Sequence, residues 1–251
     1  LCRPGWTYSL LAGPAVIAEA TATLVIEPGF VVRRGPDDIL VATDERDALL
    51  ERGLAAEDTQ VDPVRLEIFH HRFMSIAEQM GAVLERTAMS TNIRDRLDFS
   101  CAIFDAAGAL IANAPHIPVH LGAMSESVAA VCAAHPRMQP GDVFATNDPS
   151  GGGSHLPDIT VVTPVHLAGP EPAYFVASRG HHADVGGITP GSMPPFSSSL
   201  ADEGVVLRAL QVVSGGVLLE DRIRAALGAG PHPARRPDEN LADLGAQIAA
   251  N

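Results

Sequence analysis

Basic residues are scarce in this chain, and it contains no long apolar run. Only 17 of its 251 residues are lysine or arginine, against 30 acidic ones, which gives a formal charge of −13. This balance argues against a nucleic-acid partner, whose phosphates require clustered basic side chains, and it fits a cytoplasmic protein. No apolar stretch approaches the roughly 20 residues that a membrane-spanning helix requires, so we expect no membrane partner.

Cysteines are also few. Cys2, Cys101 and Cys132 are widely spaced and form no Cys-x-x-Cys pair. An odd number at this spacing predicts neither a disulfide framework nor a zinc knuckle, and it is typical of a reducing compartment. The first residues lack a secretory apolar region and a cleavage site, so we expect no signal peptide. An initiator methionine is missing as well, and we expect both ends to continue in a longer protein.

Composition divides the chain into two parts. Hydrophobic residues make up 46% and charged residues 19%, which predicts packed cores rather than disorder. Residues 13–43 contain short apolar segments separated by Pro-Gly and Gly-Pro turns, which predicts a small all-β unit. Residues 44–61 are charged and poor in large apolar side chains, and we interpret them as a linker. A second domain is predicted over residues 62–251.

The second domain begins with the clearest helix signal in the sequence. Asp62 suits an N-cap and Pro63 suits the first helical position, and apolar residues then recur at helical spacing as far as Leu84. Later helices are predicted over residues 123–135, 217–227 and 239–251. Strands are predicted over residues 98–105, 109–114, 141–148, 159–167, 173–180 and 204–213. The fold class is therefore α+β, with a mixed, largely antiparallel sheet and flanking helices.

Histidines and aspartates cluster between residues 147 and 187. His155 and Asp158 precede one predicted strand, and His181 and His182 follow the next. If these strands pair antiparallel through the short turn between them, the four side chains converge at one end of the sheet, and Asp148 reaches the same rim. Imidazoles and carboxylates in one pocket are typical ligands of Mn, Fe or Zn. The same residue types also cap turns, so spacing alone leaves both interpretations open.

Other patterns that could indicate chemistry are incomplete. The segment SGGGSH lacks the Lys-Ser/Thr of a phosphate-binding P-loop. No Gly-x-Ser-x-Gly motif is present, and Ser154 lies too close in sequence to its neighbouring histidine and aspartate to form a triad with them alone. Asp95 and Asp98 precede a predicted strand, and His120 precedes a predicted helix where Ser125 and Glu126 could cap. Each of these is as consistent with capping as with function.

Several long segments of the second domain resemble the hydantoinase B/oxoprolinase family. The resemblance rests on FHHRFMSIAEQMGAVLERTAMSTNIRDRLDFSCAIFD, NAPHIPVHLGAMSESV, GGGSHLPDITVVTPV, SRGHHADVGGITPGSMPPFS and NLADLGAQIAAN, and it runs from about residue 62 to 251. Near the start, GPAVIAEATATLVIEPGF resembles the last strands of the partner hydantoinase A/oxoprolinase family. Residues 1–43 are therefore expected to be the end of such a half, in the fused arrangement of single-chain 5-oxoprolinases.

The resemblance implies an activity, the ATP-dependent opening of 5-oxo-L-proline to L-glutamate. ATP is expected to bind in the hydantoinase A half, most of which lies outside this chain, so we expect no turnover by the chain alone. We also expect a divalent metal (Mn, Fe or Zn), a small-molecule substrate and a homodimeric full-length enzyme. Two alternatives stay open: a hydantoinase-type enzyme that opens a related cyclic imide, and a non-catalytic fragment whose histidine–aspartate cluster is structural.

The resemblance also implies roles for individual residues. His155, Asp158 and His181 are expected to ligate the metal, with an acidic ligand at Asp95. The family usually has glutamate at that last position, so the shorter side chain of Asp95 departs from the pattern. We expect His182 and Asp184 to orient the ligands or to act as a general base beside them.

Overall fold

The computed structural model describes residues 10–18, 23–34, 40–44, 62–167 and 169–251. The chain divides into two compact units, residues 1–62 and residues 63–251. The predicted linker lies outside the described residues except for Asp44, which ends a strand and belongs to the first unit. The origin of the first unit in a hydantoinase A half stays a prediction.

The described part of the first unit consists of strands. They are β1 (Leu10–Ala12), β2 (Ala15–Ala18), β3 (Thr23–Ile26), β4 (Phe30–Arg34) and β5 (Leu40–Asp44). Strands β2 and β3 form an antiparallel hairpin, and β4 pairs antiparallel with both β1 and β5. Ile17, Ile26 and Val32 are buried together as its small core. The described residues of this unit therefore form strands, as its turn-rich sequence predicts.

The second unit is built around one sheet. Its strands are β6 (Phe99–Asp105), β7 (Leu110–Asn113), β8 (Val143–Thr146), β9 (Asp158–Val165), β10 (Tyr174–His181), β11 (Leu210–Ser214) and β12 (Val217–Leu218). Their order is β12-β11-β8-β9-β10-β6-β7, and all the neighbouring pairs described are antiparallel. Strand β10 therefore lies inside the sheet, between β9 and β6. The predicted α+β class is confirmed.

Six α-helices are described around this sheet. They are α1 (Pro63–Thr87), α2 (Thr91–Arg94), α3 (Pro118–Ala134), α4 (Leu200–Glu203), α5 (Glu220–Leu227) and α6 (Pro237–Ala250). The long α1 begins at the residue that the capping signals predict. None of the described helices is both long and apolar enough to cross a membrane.

The two faces of the sheet are covered by different helices. Because successive side chains of a strand point to opposite faces, Cys101 and Ile103 of β6 pack towards α1 and α6, whereas Ala102 and Phe104 pack towards α3. Leu84 of α1 is fully buried in the first of these layers. The sheet is thus sandwiched between α3 on one face and α1, α5 and α6 on the other.

The helix predicted from residue 123 begins earlier than expected. It starts at Pro118, which occupies a position where proline is favoured because its missing N–H needs no partner. His120 consequently lies within the first turn of α3 and not ahead of the helix. Ser125 and Glu126 lie inside α3, so they do not cap its start.

Two boundaries near the end of the chain also differ from the prediction. The strand predicted over residues 204–213 is confined to β11, because Ala209 adopts a positive φ of 45° that interrupts an extended chain just before it. The helix predicted from residue 217 begins at Glu220, because Val217 and Leu218 pair with β11 as β12.

Candidate metal centre

The β9–β10 hairpin positions two of the predicted ligands. Its antiparallel register places Asp158 directly opposite His181 at the end of the hairpin. Side chains of such direct partners lie on the same face of the sheet and within contact distance. Arg179 and Thr160, two residues further into the two strands, lie on this same face, which is the face that α3 covers.

A glycine-containing loop brings in the third predicted ligand. The chain makes a 3₁₀ turn at Pro149–Gly151 and then passes Gly152, which has a φ of +81°. A Cβ atom on Gly152 would lie 2.5 Å from the backbone nitrogen of Ser127 in α3, so only glycine fits this close approach. From there the loop reaches His155, whose Nδ1 lies 3.2 Å from Oδ2 of Asp158.

His155, Asp158 and His181 come together at the end of the sheet. Nδ1 of His181 lies 3.0 Å from Oδ1 of Asp158, and Nε2 of His155 lies 3.1 Å from Nδ1 of His181. Each residue offers one ligand atom, and these three atoms all lie within 4.8 Å of one another. Two imidazole nitrogens and one carboxylate oxygen at this separation fit a divalent first-row metal such as Mn, Fe or Zn.

The environment of the cluster favours the ionisation states that ligands need. Burial by itself raises the pKa of Asp158, but hydrogen bonds from His120, His181 and Ser154 outweigh burial and hold this pKa well below its usual range. Burial lowers the pKa of His155, against the opposing effect of the Asp158 charge. Asp158 is therefore a carboxylate and His155 a neutral imidazole near pH 7, as metal coordination requires.

Besides Ser154, the ionisable side chains of His120 and Asp98 border the cluster. Nε2 of His120 lies 3.3 Å from Oδ2 of Asp158 and 3.6 Å from Oδ1 of Asp98, and its Nδ1 lies 3.3 Å from Oγ of Ser100. Oδ2 of Asp98 lies 3.8 Å from Nδ1 of His181. His120 is buried, whereas the side chain of Asp98 is 35% exposed. The cluster therefore opens to solvent on the side of Asp98 and His155.

Asp95 does not lie in the cluster, contrary to the role that the resemblance implies for it. Its side chain is half exposed, and its Oδ1 accepts a hydrogen bond of 2.9 Å from Nε of the adjacent Arg94. The chain then turns at Leu97, which has a positive φ of 55°, and the carbonyl of Asp98 accepts a hydrogen bond from the backbone N–H of His181. This turn brings Asp98, and not Asp95, beside the cluster.

His182 and Asp184 also lie apart from the cluster. His182 is the next residue after His181, so it points to the opposite face, where its ring bonds Gln247 and Asn240 of α6. Asp184 accepts hydrogen bonds from backbone N–H groups of the following loop and pairs with Arg235 at 2.8 Å. Both side chains brace the segment after β10 and do not face the ligand atoms.

Asp148, which the spacing placed on the same rim, has a local role. Its Oδ1 accepts hydrogen bonds from the N–H and the hydroxyl of Ser150, and its Oδ2 pairs with Arg208 at 3.0 Å. It therefore caps the 3₁₀ turn at the start of the glycine-containing loop.

His120 and Asp98 are the two bordering residues for which the sequence left capping and function equally open.

The second unit is an α+β domain with a candidate metal centre at the end of its central hairpin. Residues 62–251 match the Hydantoinase B/oxoprolinase family. Because this match covers most of the sequence, the chain belongs to that family.

Relatives with curated descriptions include several 5-oxoprolinases. The chain is 48% identical to 5-oxoprolinase 1 of Arabidopsis thaliana, over 98% of the chain and 20% of that protein. It is 47% identical to the 5-oxoprolinase of Dictyostelium discoideum, over 95% of the chain and 18% of that protein. It is 44% identical to the 5-oxoprolinase of Saccharomyces cerevisiae, over 97% and 19%. The chain thus spans about a fifth of the length of these relatives.

Two solved structures share the fold. The ATP-dependent caprolactamase from Pseudomonas jessenii superimposes with a TM-score of 0.67 at 28% identity, over 76% of this chain and 32% of that one. A nucleotide-free acetone carboxylase superimposes with a TM-score of 0.69, over 82% and 28%, but at 20% identity this likeness concerns the fold alone.

Proposed function

We propose that this chain is part of an ATP-dependent 5-oxoprolinase and takes part in opening 5-oxo-L-proline to L-glutamate. Identities of 44–48% to three curated 5-oxoprolinases, over nearly the whole chain, are the observation that carries this proposal. The complete enzyme would bind ATP in a hydantoinase A half, form a homodimer and work in the cytoplasm.

The chemistry explains why such an enzyme needs ATP. The lactam of 5-oxoproline is an unstrained amide and therefore a poor electrophile. Transfer of the γ-phosphoryl group of ATP to the lactam oxygen releases ADP and creates a leaving group at the ring carbon. Water then attacks that carbon and the ring C–N bond breaks, which leaves an acyl phosphate on the former ring carbon. A second water hydrolyses this acyl phosphate, which yields glutamate and phosphate. We assign the opening of the activated ring to the domain formed by residues 62–251.

His155, Asp158 and His181 are the residues that would hold a divalent metal, because their ligand atoms already lie within 4.8 Å of one another. When bound, such a metal acts as a Lewis acid and lowers the pKa of a bound water. The buried carboxylate of Asp158 orients the ring of His181 through the 3.0 Å contact at Nδ1. Partly exposed Asp98 is the carboxylate placed to accept a proton at the open side of the cluster.

Metal content tests the site directly on the purified 251-residue chain. We expect the chain to retain close to one equivalent of zinc or manganese after dialysis, and we expect Asp158→Ala and His181→Ala to lose it. His71→Ala is the matched control, because His71 is an exposed histidine on α1 that pairs only locally, with Glu67. Retention of metal by all the variants, or by none of the proteins, would leave the cluster with a structural role.

The order of the two chemical steps is tested in the complete enzyme. We expect His155→Ala to reduce glutamate release far more than oxoproline-dependent ATP cleavage, because phosphorylation belongs to the other half. Both rates are measured in the same reaction, with His71→Ala as the control. Equal loss of the two rates would indicate a structural or inter-domain role for His155, and unchanged glutamate release would remove it from the mechanism.

A second candidate function is the ATP-dependent opening of a different cyclic amide or imide. The likeness to ATP-dependent caprolactamase, at 28% identity and a TM-score of 0.67, favours this alternative. Parallel assays of the complete enzyme with 5-oxoproline, hydantoin and caprolactam separate the candidates. We expect ATP cleavage and ring opening with 5-oxoproline, and activity confined to either of the other rings would replace it as the substrate.

A further inference from the structure

Arg179 has the largest fully buried side chain among the described residues. Burying a guanidinium is costly unless its charge and its N–H groups are compensated. The hydrogen bonds that Arg179 makes all end on neutral oxygens, those of Thr160, Ser127, Gly152 and His120. An arginine so placed is more than an apolar filler, because leucine or methionine would fill the volume without the electrostatic cost.

The contacts of Arg179 on the sheet lie next to two cluster residues. Its Nε donates to Oγ1 of Thr160 at 2.7 Å, and Thr160 is two residues beyond Asp158 on β9. Arg179 itself precedes His181 by two residues on β10, so the guanidinium and the His181 ring lie on one face of the same strand.

The remaining contacts lead to the other two histidines. Nη2 of Arg179 donates a hydrogen bond of 2.8 Å to the carbonyl of Gly152. Gly152 lies in the loop that reaches His155 three residues later. The same atom donates to Oγ of Ser127 at 2.8 Å, and Nη1 approaches the carbonyl of His120 at 3.4 Å. Both of these residues belong to α3. One planar side chain thus ties together the four segments that carry the cluster.

We propose that Arg179 is a positioning residue, whose single guanidinium sets the spacing of the histidine and aspartate side chains in the cluster. This role deepens the proposed function and rests on it for the meaning of the cluster. Only arginine presents three nitrogens in one rigid plane, whereas lysine places its donors on one flexible tip. The geometry of the guanidinium, and not its charge alone, therefore holds the loop, α3 and the hairpin in their positions relative to one another.

The test compares Arg179→Lys, which keeps the charge and loses the fork, with Arg179→Met, which loses both. Zinc affinity of the 251-residue chain is measured by competition with a chelator, and backbone hydrogen exchange is measured without metal. Because residues that orient metal ligands typically contribute 10–100-fold to affinity, we expect the zinc dissociation constant to rise about 10- to 100-fold in both variants. We also expect faster exchange over residues 150–158 and 118–127.

The matched control is Gln247→Leu. Gln247 is fully buried and bonds the carbonyls of Ile159 and Ser178, so it braces β9 and β10 from the face opposite Arg179. We expect this variant to lower the melting temperature and to leave zinc affinity and exchange in the two segments unchanged. If Arg179→Lys fails to fold, Thr160→Val removes one acceptor at nearly constant shape and is expected to show a smaller change in the same direction.

The outcomes separate the inference from the proposed function. If Arg179→Lys matches the wild type in zinc affinity and exchange, the charge of Arg179 alone is sufficient and the positioning role is overturned. If Gln247→Leu loses as much zinc affinity as the Arg179 variants, the effect is one of general packing and the positioning role is again overturned. If the wild-type chain takes up no zinc, the metal site proposed above fails, while exchange still decides the role of Arg179. Faster exchange in Arg179→Lys but not in Gln247→Leu then supports positioning, and any other exchange pattern overturns it.

Discussion

The close approach of the glycine-containing loop to α3 makes Gly152→Ala an informative perturbation. Gly152 has a φ of +81°, and a Cβ atom there would lie 2.5 Å from the nitrogen of Ser127 and 2.8 Å from the carbonyl oxygen of Ala123. Both of these atoms are backbone atoms of a helix, so they cannot move aside as a flexible side chain could. The substitution must therefore strain the loop and also push it away from α3.

The two contributions can be estimated separately. A left-handed conformation costs a non-glycine residue roughly 1–2 kcal/mol, and overpacking at a tight contact costs roughly 1–3 kcal/mol. We therefore expect Gly152→Ala to lower the free energy of unfolding by about 2–5 kcal/mol. Because the Gly152 carbonyl accepts a hydrogen bond from Arg179, we also expect weaker zinc binding.

Urea denaturation of the 251-residue chain measures the first effect, and Gly230→Ala provides the control. Gly230 has nearly the same φ, +84°, and a Cβ there meets no atom within 4 Å. The difference between the two variants isolates the steric contribution, about 1–3 kcal/mol, because backbone strain and the change in the unfolded chain are shared. Equal destabilisation by both variants would refute the close approach of loop and helix.

Three other predictions concern the frame around the cluster. Leu84→Ala empties a fully buried site beneath β6 and is expected to cost about 2–5 kcal/mol in urea denaturation; a loss below about 1 kcal/mol would contradict the packing. Burial raises the pKa of Asp184, but hydrogen bonds from glycine N–H groups and from Arg235 lower it by more, so the pKa lies below its usual value. The ionised Asp184 therefore stabilises the fold above the unfolded pKa, about 3.9, and this stabilisation is lost as pH falls towards the folded pKa. We expect Asp184→Asn to weaken the dependence of the unfolding free energy on pH in the acid range. An unchanged pH dependence would contradict this role. Asn147 bridges three buried backbone groups, at 2.6, 2.7 and 3.0 Å, so Asn147→Ala is expected to cost about 1–3 kcal/mol for each group left unpaired, and a melting temperature equal to that of the wild type would contradict it.

Local patterns predict much of this fold because they depend on neighbouring residues. The period of α1 and its start at Pro63 follow from helical spacing and capping chemistry. The β9–β10 hairpin follows from two apolar runs around a Gly-Pro turn, and its register then brings Asp158 beside His181. The alternation of strand faces could also have excluded His182 from the cluster, because adjacent strand residues point to opposite sides.

Other parts of the site depend on backbone conformations that residue types do not reveal. Asp95 and Asp98 both precede β6, and the choice between them is made by the positive φ of Leu97, which is uncommon for a bulky residue. His120 enters the site because α3 begins at Pro118, before its predicted start at residue 123, and packs across the sheet face. Arg179 also contacts α3, through His120 and Ser127, although composition alone would have assigned this strand residue to the surface.

Asp158 and His181 form the last residue pair of the β9–β10 hairpin. In this pair the side chains determine which donor atoms are offered, whereas the backbone determines the spacing between them. Antiparallel pairing holds the α-carbons of two opposed residues about 4.5–5.5 Å apart, whatever side chains they carry. Replacing Asp158 by cysteine would therefore offer a softer donor at the same place and shift the preference from manganese towards zinc. Sliding either strand by one residue would instead turn that strand's donor to the opposite face and separate it from the other donor. At the proposed metal site, point substitutions at these two positions would therefore change metal preference, whereas an insertion or deletion within either strand would separate the donors.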